Sequence, residues 1–87
     1  MKDVTIYTSK NCSYCVLAKS ILAEIGVTPT EIRVDAEPSK TMEIMREMME
    51  KTERRSLPQI IIGDTPIGGC DDLRRMRMTG ELQELLT

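Results

Sequence analysis

Apolar and polar residues alternate with a period of two near the start of the chain and then change to a helical period. Val4-Thr5-Ile6-Tyr7 alternates and is rich in β-forming residues, which predicts a short strand. From Ser13 onward apolar residues recur at helical spacing, and Gly26 follows them where a glycine commonly ends a helix. The helical apolar positions are Leu17, Ala18, Ile21, Leu22 and Ile25.

The rest of the chain continues this alternation of strands and helices. Pro38 falls in the first turn of a long predicted helix, where proline is tolerated. Gly63-Asp64 is a hairpin signal between two β-rich segments. The predicted elements are strands within 30–34, 57–62 and 65–67, and helices at 35–53, from Cys70 onward and from 81 to 86.

The predicted order β-α-β-α-β-β-α-α indicates a single α/β domain over residues 1–87. A β-α-β unit requires parallel strands, whereas the hairpin adds an antiparallel edge. We therefore expect a small mixed sheet that is covered by helices on both faces.

Methionine replaces the larger aromatic residues in the predicted core. The chain has seven Met and two Tyr but no Phe or Trp. Met42, Met45 and Met49 share one face of the long predicted helix, with Ile44 and Met48 beside them. Thioethers are soft metal ligands, but no Cys or His accompanies these residues. The pattern therefore predicts that this methionine face packs into the core.

Composition and charge exclude several classes of function. The net charge of −2 lacks the basic excess of a nucleic-acid-binding domain. No segment reaches the roughly 18 apolar residues that a membrane span requires. The first residues lack the apolar run of a signal peptide, so we expect a cytoplasmic protein. Three cysteines, an odd number, then indicate reactive or ligating thiols rather than a disulfide framework.

Cys12 and Cys15 are separated by two residues at the predicted start of a helix. A helix N-terminus stabilises a thiolate, and Lys10 and Lys19 add positive charge nearby. We therefore expect Cys12 to be the nucleophile of thiol–disulfide exchange and Cys15 to be the resolving thiol. A zinc site is the alternative, but only Cys70 and no histidine could complete it, so we expect no metal in the monomer.

Three segments resemble dithiol glutaredoxins of the small bacterial type. They are "VTIYTSKNCSYC", "SLPQIIIG" and "IGGCDDL", and the likeness covers essentially the whole chain. "GGCDDL" is the most specific, because thioredoxins lack it and glutathione-binding members of the superfamily carry it. The resemblance implies a thioredoxin fold with a four-stranded mixed sheet flanked by three or four helices.

The resemblance also implies a set of glutathione-binding residues. Pro58 matches a cis-proline, and the backbone of Leu57 beside it would pair with the cysteine part of glutathione. Gly69, Cys70 and Asp71 match residues that hold the γ-glutamyl end, with Cys70 contributing its backbone rather than a third catalytic thiol. The simpler alternatives are a proline that starts a strand and an aspartate that caps a helix.

In the family that the chain resembles, the residue at the position of Tyr14 lines the glutathione site. The cation that binds the glycine carboxylate of glutathione, in contrast, departs from the family pattern. The usual lysine lies three residues before the first cysteine, where this chain has Ser9. Lys10, one residue later, and Arg54 or Arg55 are the candidates that remain.

Ser13 replaces the usual proline between the two cysteines. It restores a backbone N–H and adds a hydroxyl, and we expect it to line the glutathione site. Some glutaredoxins with serine here hold a [2Fe–2S] cluster between two subunits, with glutathione as co-ligand. In that alternative each subunit would supply Cys12.

The resemblance implies a monomeric, glutathione-dependent oxidoreductase that reduces protein disulfides and glutathione mixed disulfides in electron transport and cell redox homeostasis. Its partners would be glutathione and disulfide-containing or glutathionylated client proteins. Two alternatives stay open: a dimeric [2Fe–2S] carrier or sensor, and a hydrogen donor reduced by thioredoxin reductase. The Gly69-Cys70-Asp71-Asp72 element argues against the second alternative.

Overall fold

Four short strands form one mixed sheet in the computed structural model, which describes residues 1–87. The strands are β1 (Val4–Thr8), β2 (Thr30–Arg33), β3 (Gln59–Ile62) and β4 (Thr65–Gly68). The helices are α1 (Ser13–Glu24), α2 (Thr41–Thr52), α3 (Cys70–Thr79) and α4 (Glu81–Leu86), and a 3₁₀ turn spans Pro38–Lys40. None of the helices is long and apolar enough to cross a membrane.

The strand order β2-β1-β3-β4 places β1 and β3 at the centre of the sheet. β1 is parallel to β2 and antiparallel to β3, and β3 is antiparallel to β4. The predicted mixed sheet with an antiparallel hairpin is therefore confirmed. Because β1 ends and its antiparallel neighbour β3 begins near the start of α1, the loops at this end of the sheet surround Cys12 and Cys15.

Two apolar clusters lie on opposite faces of the sheet, since consecutive residues of β3 point to opposite sides. Ile60 and Ile62 belong to a cluster of 13 buried residues shared with α1, α3 and α4. Ile61 belongs to a smaller cluster with Tyr7 and Met48 beneath α2. The prediction of helices on both faces is confirmed.

The methionine face of α2 differs from the prediction. Met48 is fully buried, and Ile44, Met45 and Met49 are half-buried, but Met42 is 87% exposed. The prediction was wrong for Met42 because α2 begins only at Thr41, which leaves Met42 in a solvent-facing first turn.

The helix predicted for 35–53 is shorter than expected. Glu37, which precedes Pro38, has extended backbone angles, as the residue before a proline commonly does. Asp35 instead accepts hydrogen bonds from the backbone N–H of Lys10 and the Arg33 guanidinium. These contacts tie the segment after β2 to the loop before α1 and delay the helix.

The junction between β4 and α3 depends on the carboxylate of Asp72, the third residue of α3. Its Oδ2 accepts hydrogen bonds from the Gly69 N–H at 3.0 Å and from Arg54 Nη1 at 3.1 Å. Arg75 Nη1 donates to Oδ1 at 3.2 Å. Gly68 has a φ of +108° and lies against this carboxylate, so that a Cβ at Gly68 would collide with it. The Gly69 N–H, followed by the two guanidinium groups, holds the pKa of Asp72 below its ordinary value, although partial burial opposes this.

We expect Gly68→Ala to lower the free energy of unfolding by about 2–4 kcal/mol, because strained backbone and overpacking act together. Gly26→Ala is the matched control, since Gly26 also has a positive φ (+81°) but nothing lies within 4 Å of a Cβ there. The control should lose only about 1 kcal/mol. Urea denaturation measures both, and equal losses would contradict the packing argument.

We expect Asp72→Asn to lower the free energy of unfolding by about 1 kcal/mol at pH 7, as for the loss of a good helix cap. The folded-state pKa is depressed, so the carboxylate stabilises the protein above its unfolded-state pKa of about 3.9. This stabilisation disappears as the pH falls through the folded-state pKa. Urea denaturation from pH 7 to pH 3 should show the two proteins converging, whereas Asp64→Asn, in an exposed turn, should match the parent throughout. A constant difference between Asp72→Asn and the parent would contradict the assignment.

Candidate active site

Cys12 and Cys15 lie at the start of α1 and are disulfide-bonded, with their Cα atoms 5.2 Å apart. Cys12 is the N-cap residue, and its sulfur accepts a hydrogen bond from the Cys15 N–H at 3.2 Å. Asn11 immediately before it has a φ of +59°, a left-handed conformation that asparagine tolerates better than most residues. This turn leaves Cys12 partly exposed, whereas Cys15, one turn further, is only 2% exposed.

The start of α1 is suited to hold a negative charge on Cys12 when the disulfide is reduced. The N–H groups of Ser13 and Tyr14 donate to no other atom of the chain, as is usual in a first helical turn. Together with the Cys15 N–H, they direct positive partial charge toward the N-cap position. The predicted order of the two thiols, Cys12 accessible and Cys15 shielded, agrees with this geometry.

Two clefts lie beside the cysteine pair. The first, of about 510 Å³, contains Cys12 and Cys15 together with Lys10 and Ser13. It also contains Glu31, whose carboxylate accepts a hydrogen bond from the Thr8 hydroxyl at 2.6 Å. This hydrogen bond, followed by that from Lys19, lowers the pKa of Glu31, with burial opposing. The first cleft thus has charges of both signs.

The second cleft is a groove of about 260 Å³ between the loop before β3 and the start of α3. It contains six of the eight residues predicted to bind glutathione, namely Tyr14, Leu57, Pro58, Gly69, Cys70 and Asp71. The other two, Lys10 and Ser13, line the first cleft instead. Ser13 differs from Tyr14 because neighbouring side chains in the first turn of α1 point to different sides, and Lys10 lies in the loop before that helix.

The loop before β3 presents free backbone groups to the groove. The Leu57–Pro58 peptide bond is cis, which confirms the prediction for Pro58. Neither the N–H nor the C=O of Leu57 has a hydrogen-bond partner within the chain. Pro58 itself is buried, and its carbonyl oxygen would lie 3.2 Å from a Cβ at Gly69. The loop and the start of α3 are therefore in close contact.

The start of α3 presents two further free backbone N–H groups to the groove. The N–H groups of Cys70 and Asp71 have no partner within the chain, and the Asp71 side chain is exposed. The Cys70 side chain is buried, and burial raises the pKa of its thiol. Cys70 thus remains a neutral thiol at neutral pH and contributes backbone groups to the groove.

Arg54, Ser56 and Asp72 complete the groove. Arg54 was one of three candidates for a carboxylate-binding cation, and it is the one found here. Lys10 lies in the first cleft, and Arg55 lines neither cleft. Sequence reasoning named Asp72 only as part of the Gly69-Cys70-Asp71-Asp72 element, without a role for its side chain, and overlooked Ser56. The adjacent pair Asp71-Asp72 was the available signal for Asp72.

Comparisons with known proteins agree with this arrangement. A family model described as Glutaredoxin matches residues 4–67. A glutaredoxin from Neisseria meningitidis is 46% identical over 87 residues, covering 99% of this chain and 98% of the relative. The solution structure of a glutaredoxin from Brucella melitensis has a TM-score of 0.81 at 44% identity, covering 99% of this chain and 89% of that one. The crystal structure of a buckwheat glutaredoxin–glutathione complex has a TM-score of 0.88 at 27% identity, covering 98% and 76%.

These similarities extend across the sheet, the cysteine pair and the groove. The four-stranded mixed sheet with a cysteine pair at the start of α1 is the thioredoxin fold of the structural neighbours. The family model and a full-length relative at 46% identity are independent of any single motif. The chain therefore belongs to the glutaredoxin family.

Proposed function

We propose that this glutaredoxin is a glutathione-dependent thiol–disulfide oxidoreductase that acts on glutathionylated proteins and protein disulfides in the cytoplasm. The groove beside the cysteine pair carries the proposal. It offers free backbone groups of Leu57 on one wall, and free N–H groups of Cys70 and Asp71 on the other. A similar fold, the buckwheat glutaredoxin, was crystallised as a complex with glutathione.

Each part of glutathione has a chemically matched place in the groove. Its cysteine residue would pair in strand fashion with the Leu57 N–H and C=O. The γ-glutamyl carboxylate would accept from the N–H groups of Cys70 and Asp71, and the Asp71 carboxylate would face the ammonium group. The guanidinium of Arg54 would bind the glycine carboxylate. Tyr14 would cover the bound tripeptide near the sulfur.

Deglutathionylation needs only Cys12. Its thiolate attacks the glutathionyl sulfur of a mixed disulfide, and the client cysteine leaves as a thiolate that takes up a proton. A second glutathione thiolate then attacks the glutathionyl sulfur held on Cys12. Glutathione disulfide leaves and the Cys12 thiolate is regenerated, so that one free glutathione and the glutathionyl group of the client end as one glutathione disulfide and one client thiol is restored.

Reduction of a protein disulfide also needs Cys15. After Cys12 attacks the client disulfide, the Cys15 thiolate attacks the Cys12 sulfur of the mixed disulfide and releases the second client thiol. The Cys12–Cys15 disulfide that forms is the state seen in the structure. Two glutathiones then reduce it to the dithiol.

We expect Cys12→Ser to lower turnover of a glutathionylated peptide at least about a hundredfold, because a hydroxyl is a far weaker nucleophile than a thiolate. Cys15→Ser should keep most of that activity but lose most reduction of a protein disulfide such as insulin. A glutathione reductase assay coupled to NADPH measures both reactions. Full activity in Cys12→Ser, or equal losses of both activities in Cys15→Ser, would reject the assigned roles.

We expect Arg54→Ala to raise KM for a glutathionylated peptide about tenfold, the effect of losing one charge-assisted contact to a carboxylate. Arg55→Ala is the matched control, because its neighbouring guanidinium lines neither cleft, and its KM should stay within about twofold of the parent. The same coupled assay measures both variants. A larger effect at Arg55 than at Arg54 would overturn the choice between these cations.

The cluster-binding alternative is tested on the same protein. Cys12 is the accessible thiol of the three, and no group of three or more potential ligands in this chain could hold a metal ion. A [2Fe–2S] cluster would therefore need Cys12 from two chains and two further thiolates, which glutathione can supply. Anaerobic incubation with iron, sulfide and glutathione that yields a coloured dimer would support this second activity, and a colourless monomer would reject it.

A further inference from the structure

Gln59 is a fully buried polar residue at the first position of β3, directly after Pro58. It lies opposite Tyr7 in the pairing of β1 with β3. Because Ile61 belongs to the cluster beneath α2, alternation along the strand places the Gln59 side chain on the same face. The three residues that follow it in β3 are all isoleucine, so an amide here is exceptional.

Only one end of the Gln59 amide has hydrogen-bond partners. Nε2 donates to the Ser56 carbonyl oxygen at 2.9 Å and approaches the Ser56 hydroxyl oxygen at 3.2 Å. Oε1 is the one buried side-chain oxygen or nitrogen without a hydrogen-bond partner. The orientation is fixed by chemistry, since only the NH₂ end can donate to a carbonyl.

Because its Oε1 has no hydrogen-bond donor, Gln59 stabilises the folded protein less than an apolar residue of the same length would. A buried acceptor without a donor costs free energy, and an apolar side chain of the same length would avoid that cost. Methionine, which this chain uses freely, has a similar unbranched shape. The contribution of this amide therefore comes from its NH₂ group, which contacts Ser56.

Ser56 adjoins the residue whose free backbone groups face the groove. With its carbonyl held by Gln59 and with Pro58 packed against Gly69, the loop is fastened on both sides of Leu57. The Leu57 N–H belongs to the same peptide unit as the Ser56 carbonyl, because the two groups share one planar bond. Fixing that carbonyl thus fixes the direction of the Leu57 N–H.

We propose that Gln59 is a positioning residue for glutathione: its amide holds the Ser56–Leu57 peptide unit so that Leu57 meets the tripeptide in strand geometry. This inference rests on the proposed function, since it names a buried residue behind the same binding groove. Gln59 touches neither the glutathione position nor the reacting sulfurs and acts only through Ser56.

The test is Gln59→Met in the full-length protein, which keeps side-chain length and removes both ends of the amide. The unfolding midpoint in urea should equal or exceed that of the parent. KM for a glutathionylated peptide should rise about fivefold or more while kcat stays within about twofold, the pattern expected when ground-state and transition-state binding weaken together. Gln83→Met, in an exposed turn of α4, is the matched control and should leave KM, kcat and the midpoint unchanged.

A second readout does not depend on activity. Backbone ¹⁵N relaxation of the Leu57 amide should show increased motion in Gln59→Met relative to the parent and to Gln83→Met. If the parent fails to turn over glutathionylated peptide, the proposed function fails, and Leu57 motion still decides whether the amide fixes the loop.

Three outcomes would overturn the proposal. One is an unchanged KM, whether or not Leu57 becomes more mobile. Another is unchanged motion of Leu57. The third is a loss of folding in both Gln59→Met and Gln59→Leu, since the amide would then serve the fold as a whole rather than the groove.

Discussion

The Asp72 carboxylate holds the start of α3 and links it to the loop before β3. It binds the Gly69 N–H at the entrance to α3, Arg54 in the loop before β3, and Arg75 one turn further along α3. Arg54 and Gly69 stand on opposite walls of the groove. This one side chain therefore sets the width of the groove and the exposure of the free N–H groups at the start of α3. It also occupies the space that a Cβ at Gly68 would need.

Much of the fold could be read from local patterns. Strand alternation, the glycine after α1 and the Gly63-Asp64 turn each act over a few residues, so the elements and their order were predicted. The start of α2 was not, because Glu37 before Pro38 is extended and Asp35 is held by Lys10 and Arg33. Met42 was misplaced for the same reason.

The sequence predicted those parts of the candidate site whose backbone conformation a motif specifies. The cysteine pair, the cis bond before Pro58 and the groove residues at 69–71 all lie where the motifs indicated. Side-chain direction was harder to foresee. Lys10 and Ser13 line the first cleft rather than the groove, and the contact between Arg54 and Asp72 joins residues 18 positions apart. Gln59 gave no signal, since its role depends on which end of a buried amide finds a partner.

The free backbone groups of Leu57 also bear on self-association. Backbone N–H and C=O groups without partners invite pairing with a strand from another molecule. Here the opening is a single residue long, because Pro58 has no N–H and the carbonyl of Ser56 is already taken by Gln59. A short extended peptide can form hydrogen bonds to the N–H and C=O of Leu57. A longer strand finds no free N–H at Pro58 and no free carbonyl at Ser56. The segment before β3 thus leaves backbone groups free for a ligand without offering a longer run of them to a strand from another molecule.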